Sequence, residues 1–232
     1  LEIEPADFRA LAALETLFTQ EGRWEECVEI LERRAHALAA PEEQVDVLMQ
    51  AASIWADKIG DGGAASDVYE RVLKIDPSNM TASNELEGLY RQRKSWVQLI
   101  GLLIERIPFL EAPGDRITVF IQVAEVYEQQ LGDRDHAFQM LQEAFREDYS
   151  NDQVAKELER LATVAGKWNE LISEYTQIAQ SIGEPKQAAD LWVKIARWSD
   201  SALQHIEYAI YSAHQALALD ANHTGALAAL ED

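Results

Sequence analysis

The feature that most constrains this chain is an interval of 72 residues that recurs along its whole length. Trp24, Trp96 and Trp168 are separated by this interval. Three prolines, three aspartates and four Leu-Glu pairs share it, namely Pro41, Pro113 and Pro185, Asp76, Asp148 and Asp220, and Leu14, Leu86, Leu158 and Leu230 with the glutamate after each. Chance does not align so many columns, so we predict an array of repeats. Such arrays are usually binding surfaces rather than catalysts.

Charge narrows the kinds of partner. The 232 residues include 41 acidic and 20 basic side chains, which gives a formal net charge of −21 at pH 7. This balance disfavours binding to nucleic acid or to an anionic membrane, because phosphate contacts need an excess of Lys and Arg. The acidity is typical of a soluble scaffold whose copies repel one another. Hydrophobic residues make up 47% of the chain, which is enough for a continuous core.

Little in the sequence indicates a location. The single cysteine, Cys27, excludes an internal disulfide and is typical of a reducing compartment, so the cytoplasm is favoured. The longest apolar stretch, from Trp96 to Ile104, is too short to cross a bilayer as a helix. The first residues do not have the pattern of a signal peptide.

Each 72-residue repeat divides into two similar halves, and each half is predicted to be a pair of helices. In the half near residue 46, apolar residues recur at steps of three and four along one helix face, at Val45, Leu48, Ala52, Trp55 and Ile59. The run Gly60–Gly63 ends that helix. A second apolar helix follows and stops at Asp76, because the residue before a proline avoids the helical region.

These helix pairs resemble the tetratricopeptide repeat, a helix pair of about 34 residues with a small residue, an aromatic residue four positions later and a closing proline. The unit from Asp46 carries this pattern, with Gly60-Asp61 at the turn, Ala65, Tyr69 and the closing Asp76-Pro77. The resemblance implies an all-α fold, a right-handed superhelix (α-solenoid) of antiparallel helix pairs. The half-a-tetratricopeptide repeat of RNA-processing scaffolds is a relative that the sequence leaves open.

Alignment to this pattern predicts six units. Their bounds are 8–45, 46–79, 80–117, 118–151, 152–189 and 190–223, with partial units at 1–7 and 224–232. The odd units are expected to end in a longer linker that carries Pro41, Pro113 or Pro185. Because the chain starts inside one unit and stops inside another, we expect one solenoid that is a fragment of a longer array.

The resemblance also implies which residues line a concave groove, because in these repeats five positions of each first helix face it. The partner-binding candidates at those positions are Arg9, Gln50, Lys58, Asn84, Arg91, Gln122, Gln129, Lys156, Arg160, Lys194 and Trp198. All groove positions together hold six basic residues and one acidic residue, Asp57. This predicts a groove that favours an acidic or polar peptide. A helix register that is wrong by one or two residues would remove the asymmetry.

Several candidates have a simpler structural interpretation. Trp198 at a groove position is a candidate binding hot spot, although such a ring also packs well against a neighbouring repeat. Trp24, Trp96 and Trp168 at helix turns, and Cys27 at a small position, are predicted to be core residues. No unit carries the Lys and Asn pair with which some members of the family hold a C-terminal carboxylate.

No catalytic or metal-binding arrangement can be placed in the sequence. The histidines lack the i, i+4 spacing of helical metal sites. The run Gly60–Gly63 lacks the Lys and Ser or Thr of a phosphate loop and the spaced carboxylates of a calcium loop. We therefore predict no catalytic residue, no metal and no cofactor.

The predicted function is a non-catalytic scaffold for protein–protein interaction that holds a protein or peptide in its groove. One alternative is a regulatory or substrate-presenting arm of a larger enzyme. Another is an architectural array that self-associates by stacking its ends.

Overall fold

The computed structural model describes residues 8–231, and all regular structure in that stretch is helical. The first six helices are α1 (Phe8–Glu21), α2 (Trp24–Ala37), α3 (Pro41–Ile54), α4 (Gly62–Ile75), α5 (Met80–Gln92) and α6 (Trp96–Arg106). The next seven are α7 (Pro113–Val126), α8 (Arg134–Glu147), α9 (Asp152–Ala165), α10 (Trp168–Ser181), α11 (Pro185–Ser201), α12 (Ile206–Leu219) and α13 (Thr224–Glu231). Short π-helical segments, Trp55–Ile59 and Tyr127–Leu131, extend α3 and α7, and a 3-10 turn, Ile107–Phe109, extends α6. The predicted all-α fold of repeating helix pairs is confirmed.

The helices group into two units, one that reaches to Ala112 and one that begins at Pro113. In the first unit α1–α6 form three consecutive pairs, and in the second α7–α12 form three more, followed by α13. Within each unit every helix packs against the next one in sequence, so neighbouring pairs share a core. The six unit bounds and the single solenoid stay predictions, and the partial unit 1–7 lies outside the described residues.

The three repeating prolines begin helices, and the expectation that they lie in linkers is wrong. Pro41 and Pro185 occupy the first turn of α3 and α11, and α7 begins at Pro113. The first helical position suits proline because the N–H there has no partner inside the helix and the ring already holds a helical φ. These three helices therefore begin five residues before the unit starts at Asp46, Thr118 and Asp190.

Glycine and aspartate together form the turns that follow α3 and α7. Gly60 and Gly132 have φ values of 80° and 69°, the left-handed region in which a side chain would be strained. The Asp61 carboxylate then accepts hydrogen bonds from the N–H groups of Gly63 and Ala64, at 2.9 and 3.0 Å. These bonds cap α4, so the run Gly60–Gly63 is a helix turn.

Small and large apolar side chains at helical spacing fill the interior of each unit. Ala65 and Tyr69 of α4, and Ala137 and Leu141 of α8, are at most 3% exposed. Each large side chain buried in this way contributes about 1.5–3 kcal/mol to folding. Within residues 8–231 no helix combines the length and apolar character needed to cross a bilayer.

Candidate binding cleft

The structure leaves most of the predicted groove residues open to solvent. Eight of the eleven are exposed, namely Arg9, Gln50, Lys58, Asn84, Arg91, Gln129, Lys156 and Arg160. Gln122 and Lys194 are half-buried, and Trp198 is buried. The predicted positions therefore form a largely accessible set, but their charges differ from the expectation.

Two of the predicted groove cations are neutralised by glutamates. The Arg91 guanidinium donates to Glu87 at 2.9 Å. Arg160 of α9 donates to Glu128 beyond α7 at 2.9 and 2.5 Å, and to Glu157 at 2.8 Å. The hydrogen bonds from Arg160 lower the pKa of Glu128. These carboxylates occupy positions that the count of groove charges leaves out, so Arg91 and Arg160 do not carry unpaired positive charges.

Three more of the predicted groove residues, Lys58, Asn84 and Gln129, lie beside side chains of their own unit. The Lys58 ammonium lies 5.7 Å from the ring centroid of Trp24, a cation–π contact. The Asn84 side chain accepts a hydrogen bond from Arg106 at 3.1 Å. Gln129 and Arg160 line a cavity of about 590 Å³ among α7, α8 and α9.

Trp198 is a core residue, which agrees with the packing interpretation of this ring and not with its place among the groove candidates. It is 7% exposed, and its ring meets the edge of Tyr175 at 4.6 Å and lies 5.9 Å from Trp168. In α11 the buried apolar residues recur at Leu191, Ile195 and Trp198. That spacing places the Trp198 side chain on the face that packs against α10.

A cleft of about 430 Å³ lies in the second unit where α9 and α13 begin beside α11. One stripe of α11 forms a wall, with Gln187, Asp190, Lys194 and Arg197 at steps of three and four. The first residues of α9 and α13, including Asp152, complete the lining. The N-terminal ends of two helices thus open onto the cleft, and such ends carry partial positive charge.

The aspartates of this cleft differ in their partners. Asp190 accepts a hydrogen bond from His223 Nε2 at 2.9 Å. The other ring nitrogen of His223 accepts from the N–H of Ala226, so the histidine joins the start of α13 to α11. Asp152 is much looser, because its carboxylate lies 4.0 Å from the Lys194 ammonium. Asp152 therefore engages Lys194 only weakly.

Arg197, which the sequence prediction misses, is the second cation of the cleft. It is exposed and makes no ion pair with any residue between 8 and 231. The signal that identifies it is the apolar spacing of α11, because burial of Trp198 turns Arg197 toward the cleft side. The predicted register selected the neighbouring residue instead.

Lys156 of α9 lies in the same electrostatic environment as Lys194. Burial raises the pKa of Glu159, while the charges of Lys194 and Lys156 act in the opposite direction. Both ammonium groups are thus near enough to Glu159 to stabilise its ionised form. We call Lys194 and Arg197, the two cations that line the cleft, the cation cluster.

The remaining candidate chemistry is sparse. Among residues 8–231 no three or more His, Cys, Asp and Glu side chains are grouped closely enough to hold a metal ion. Cys27 is buried beside the Thr19 hydroxyl at 3.4 Å and packs in the core of the first unit, as predicted.

Comparison with known proteins shows a similarity over one stretch of the chain. Residues 10–45 match the family model of the tetratricopeptide repeat. No curated protein matches the sequence.

Solved structures of repeat proteins overlay the chain with low identity. "YrrB: a TPR protein with an unusual peptide-binding site" is 16% identical, with 82% of this chain and 94% of that chain covered and a TM-score of 0.38. PilF of Pseudomonas aeruginosa is 17% identical, with 96% of each chain covered and a TM-score of 0.37. A tetratricopeptide repeat protein of Parabacteroides merdae is 16% identical, with 99% and 86% covered and a TM-score of 0.38.

The fold assignment rests on the helix pairs themselves and on the family match. Arrays of stacked helical repeats present extended surfaces that usually bind other molecules. Residues 8–231 form thirteen α-helices in consecutive pairs, so the chain is an all-α helical repeat protein whose residues 10–45 are similar to the tetratricopeptide repeat.

Proposed function

We propose that this chain is a non-catalytic scaffold that binds an acidic or polar segment of a partner protein in the cleft of α9, α11 and α13. The observation that supports it is the cation cluster. Lys194 and Arg197 line a cleft in which one aspartate is already bonded to His223 and the other lies at the limit of ion-pair distance.

The cluster supplies the donors that an acidic segment needs. An arginine head can donate two parallel hydrogen bonds to one carboxylate, and such charge-assisted bonds are stronger than neutral ones. Gln187 lines the same cleft and offers an amide to the backbone of an extended peptide. The positive ends of α9 and α13 add to the attraction for a negative group.

The net charge of −21 determines how selective such a site is. At physiological ionic strength the field of exposed charges is screened over about 8 Å. The acidic surface outside the cleft therefore repels an acidic segment only weakly, and the attraction to the local cations determines whether the segment binds. Away from the cluster an acidic segment meets mostly carboxylates, so it is directed to this one place.

The experiment measures fluorescence anisotropy of a labelled, unstructured peptide of Asp, Glu, Gly and Ser with blocked ends. We expect Lys194→Gln and Arg197→Gln each to weaken binding about threefold to fivefold, the effect of losing one partly exposed charge contact. Lys74→Gln is the matched control, because Lys74 is an exposed lysine of α4 in the other unit.

A second peptide with Asn and Gln in place of Asp and Glu tests the charge requirement, and we expect it to bind at least about tenfold more weakly. Equal binding of the two peptides would show that the cleft does not recognise acidic groups. Equal loss in the Lys74→Gln protein would show that the cluster is not the site.

A further inference from the structure

A second cleft lies in the first unit, between α4 and α6, each of which is the second helix of its pair. Its volume is about 320 Å³, and α5 forms its floor through Leu86 and Tyr90. Leu73 and Leu102 contribute apolar walls. Charged groups of α4 and α6 also line it, namely Glu70, Lys74 and Glu105. The lining therefore combines an apolar interior with two carboxylates.

The two carboxylates are held differently. Glu70 accepts a hydrogen bond of 2.7 Å from the Tyr90 hydroxyl, and Tyr90 is only 6% exposed. Burial and the bonded Glu70 raise the pKa of Tyr90 well above its usual value, so the phenol stays a donor. This fixes the position of Glu70. Glu105 is exposed and makes no ion pair within the described part of the chain, so its charge is available.

Gly101 keeps the cleft open from the α6 side. A Cβ atom built at this position meets no atom within 4 Å. A side chain at position 101 would therefore not collide with the neighbouring helices. Its absence leaves space between α4 and α6 that a larger residue would occupy.

The second unit shows what the same gap accommodates. There Arg146 of α8 donates to Glu174 of α10 at 2.6 and 2.9 Å, and to Glu143 at 2.5 Å. Arg146 and Glu174 lie 72 residues after Lys74 and Leu102. In the second unit an arginine head thus bridges α8 and α10, each the second helix of its pair. The equivalent positions of the first unit, Lys74 and Leu102, line the open cleft.

A buried hydroxyl without a hydrogen-bond partner lies in a cavity beside the cleft. A small adjoining cavity of about 40 Å³ shares Leu73, Leu102 and Glu105 with the main cleft and is also lined by Ser83 and Arg106. Ser83 is 3% exposed, and its hydroxyl has no hydrogen-bond partner among the described residues. A hydroxyl oxygen buried in this way favours a donor brought in by a ligand.

We propose that this cleft binds the side chain of an arginine in a basic segment of a partner protein. The guanidinium has a planar fork of five N–H donors, for which Glu70 and Glu105 supply acceptors in the cleft and the Ser83 hydroxyl supplies one in the adjoining cavity. Its aliphatic stem packs along the leucine walls. Lys74 offsets one of the two carboxylate charges of the cleft, and Arg106 beside Ser83 is already paired with Glu87, so the cleft lining keeps a net negative charge.

This inference is independent of the acidic-peptide cleft, because it concerns another unit and a ligand of opposite charge. Gly101→Phe is the test variant, since a ring at this position fills the cleft and leaves every charged group in place. Gly101→Ala is the matched control, because alanine adds only one methyl group and favours the helix over glycine. Circular dichroism melting confirms that both variants fold.

The probe is a fluorescein-labelled peptide of Arg, Leu, Gly and Ser with blocked ends, compared with the same peptide in which citrulline replaces arginine. Citrulline keeps the shape and removes the charge. We expect the arginine peptide to bind about tenfold more tightly than the citrulline peptide. We also expect Gly101→Phe to weaken binding of the arginine peptide about tenfold and Gly101→Ala to leave it unchanged.

Glu105→Gln is a second variant that leaves the cleft open, and it should weaken binding about threefold. Glu42→Gln, an exposed glutamate of α3, is its control. Binding of the arginine peptide that is the same in Gly101→Phe and Gly101→Ala would overturn the proposal. Equal affinity for the arginine and citrulline peptides would overturn it as well.

Discussion

Replacement of Tyr175 by phenylalanine tests the account of the second unit most sharply, because it should make the protein more stable. The Tyr175 ring is fully buried, stacks on Phe145 at 4.2 Å and meets Trp198 edge-on at 4.6 Å. Its hydroxyl is buried and has no hydrogen-bond partner among the described residues. Burial, together with the nearby charges of Glu159 and Asp152, raises the pKa of this phenol.

The magnitude follows from the hydroxyl alone. A buried polar group without a hydrogen bond costs about 1–3 kcal/mol, the free energy of removing it from water. Phenylalanine keeps both ring contacts and leaves a space no larger than one oxygen atom, so the cost of a cavity is small. We therefore expect Tyr175→Phe to increase the free energy of unfolding by about 1 kcal/mol.

The same exchange at Tyr90 supplies a control of opposite sign. The Tyr90 hydroxyl donates to Glu70 at 2.7 Å, so its removal loses a hydrogen bond to a charged group. Tyr90→Phe should therefore lower the free energy of unfolding by about 1.5 kcal/mol.

The assay must separate the two units, because a chain of this kind need not unfold in a single step. Native-state hydrogen exchange of amides in α10 and α11 measures the second unit, and amides in α4 and α5 measure the first. We expect slower exchange in α10 for Tyr175→Phe and faster exchange in α5 for Tyr90→Phe. A Tyr175→Phe protein that exchanges faster in α10 would refute the description of that hydroxyl as unpaired.

Three further predictions concern charge and backbone. Burial raises the pKa of the Glu159 carboxyl above the value of about 4.5 that it has in the unfolded state, so the folded state holds the proton more tightly. The free energy of unfolding therefore falls as the pH rises from about 4.5 through the pKa of Glu159 in the folded state. Glu159→Gln should therefore melt at a higher temperature than the native protein at pH 7, and the difference should disappear as the pH is lowered to about 4. Arg106 is 10% exposed and pairs with Glu87, which is 18% exposed. Arg106→Leu should therefore lower the free energy of unfolding, measured in urea, by about 2 kcal/mol, because it leaves the Glu87 carboxylate unpaired. The added Glu87→Leu change should recover part of that loss. Gly132 has a φ of 69°, so Gly132→Ala should cost about 1 kcal/mol, and an unchanged melting temperature would contradict that estimate.

The periodic pattern was sufficient to predict the helix pairs because each pair is specified locally. Apolar spacing, glycine turns and aspartate caps all lie within a few residues of the element they define. The prolines were misinterpreted because proline both stops one helix and begins the next. Pro77 follows the end of α4 and is not helical, whereas Pro41 is the first residue of α3. The two prolines differ in whether a helix continues directly after them.

The candidate site was less accessible from the sequence because its charges depend on tertiary contacts. Arg160 and Glu128 are separated by 32 residues, and only packing brings them within 2.5 Å. A count of charges at groove positions does not include such partners, because they lie outside those positions. Arg197 was missed by one residue, which is the error expected when a helix register is transferred from a family pattern.

The most direct test of the central claim is hydrogen–deuterium exchange of the protein with and without the acidic peptide. The account predicts slower exchange in the first turns of α9 and α13 and along the Lys194 side of α11, with no change in α1–α5. Protection that is confined to the first unit, or equal in both units, would contradict the assignment of the cleft.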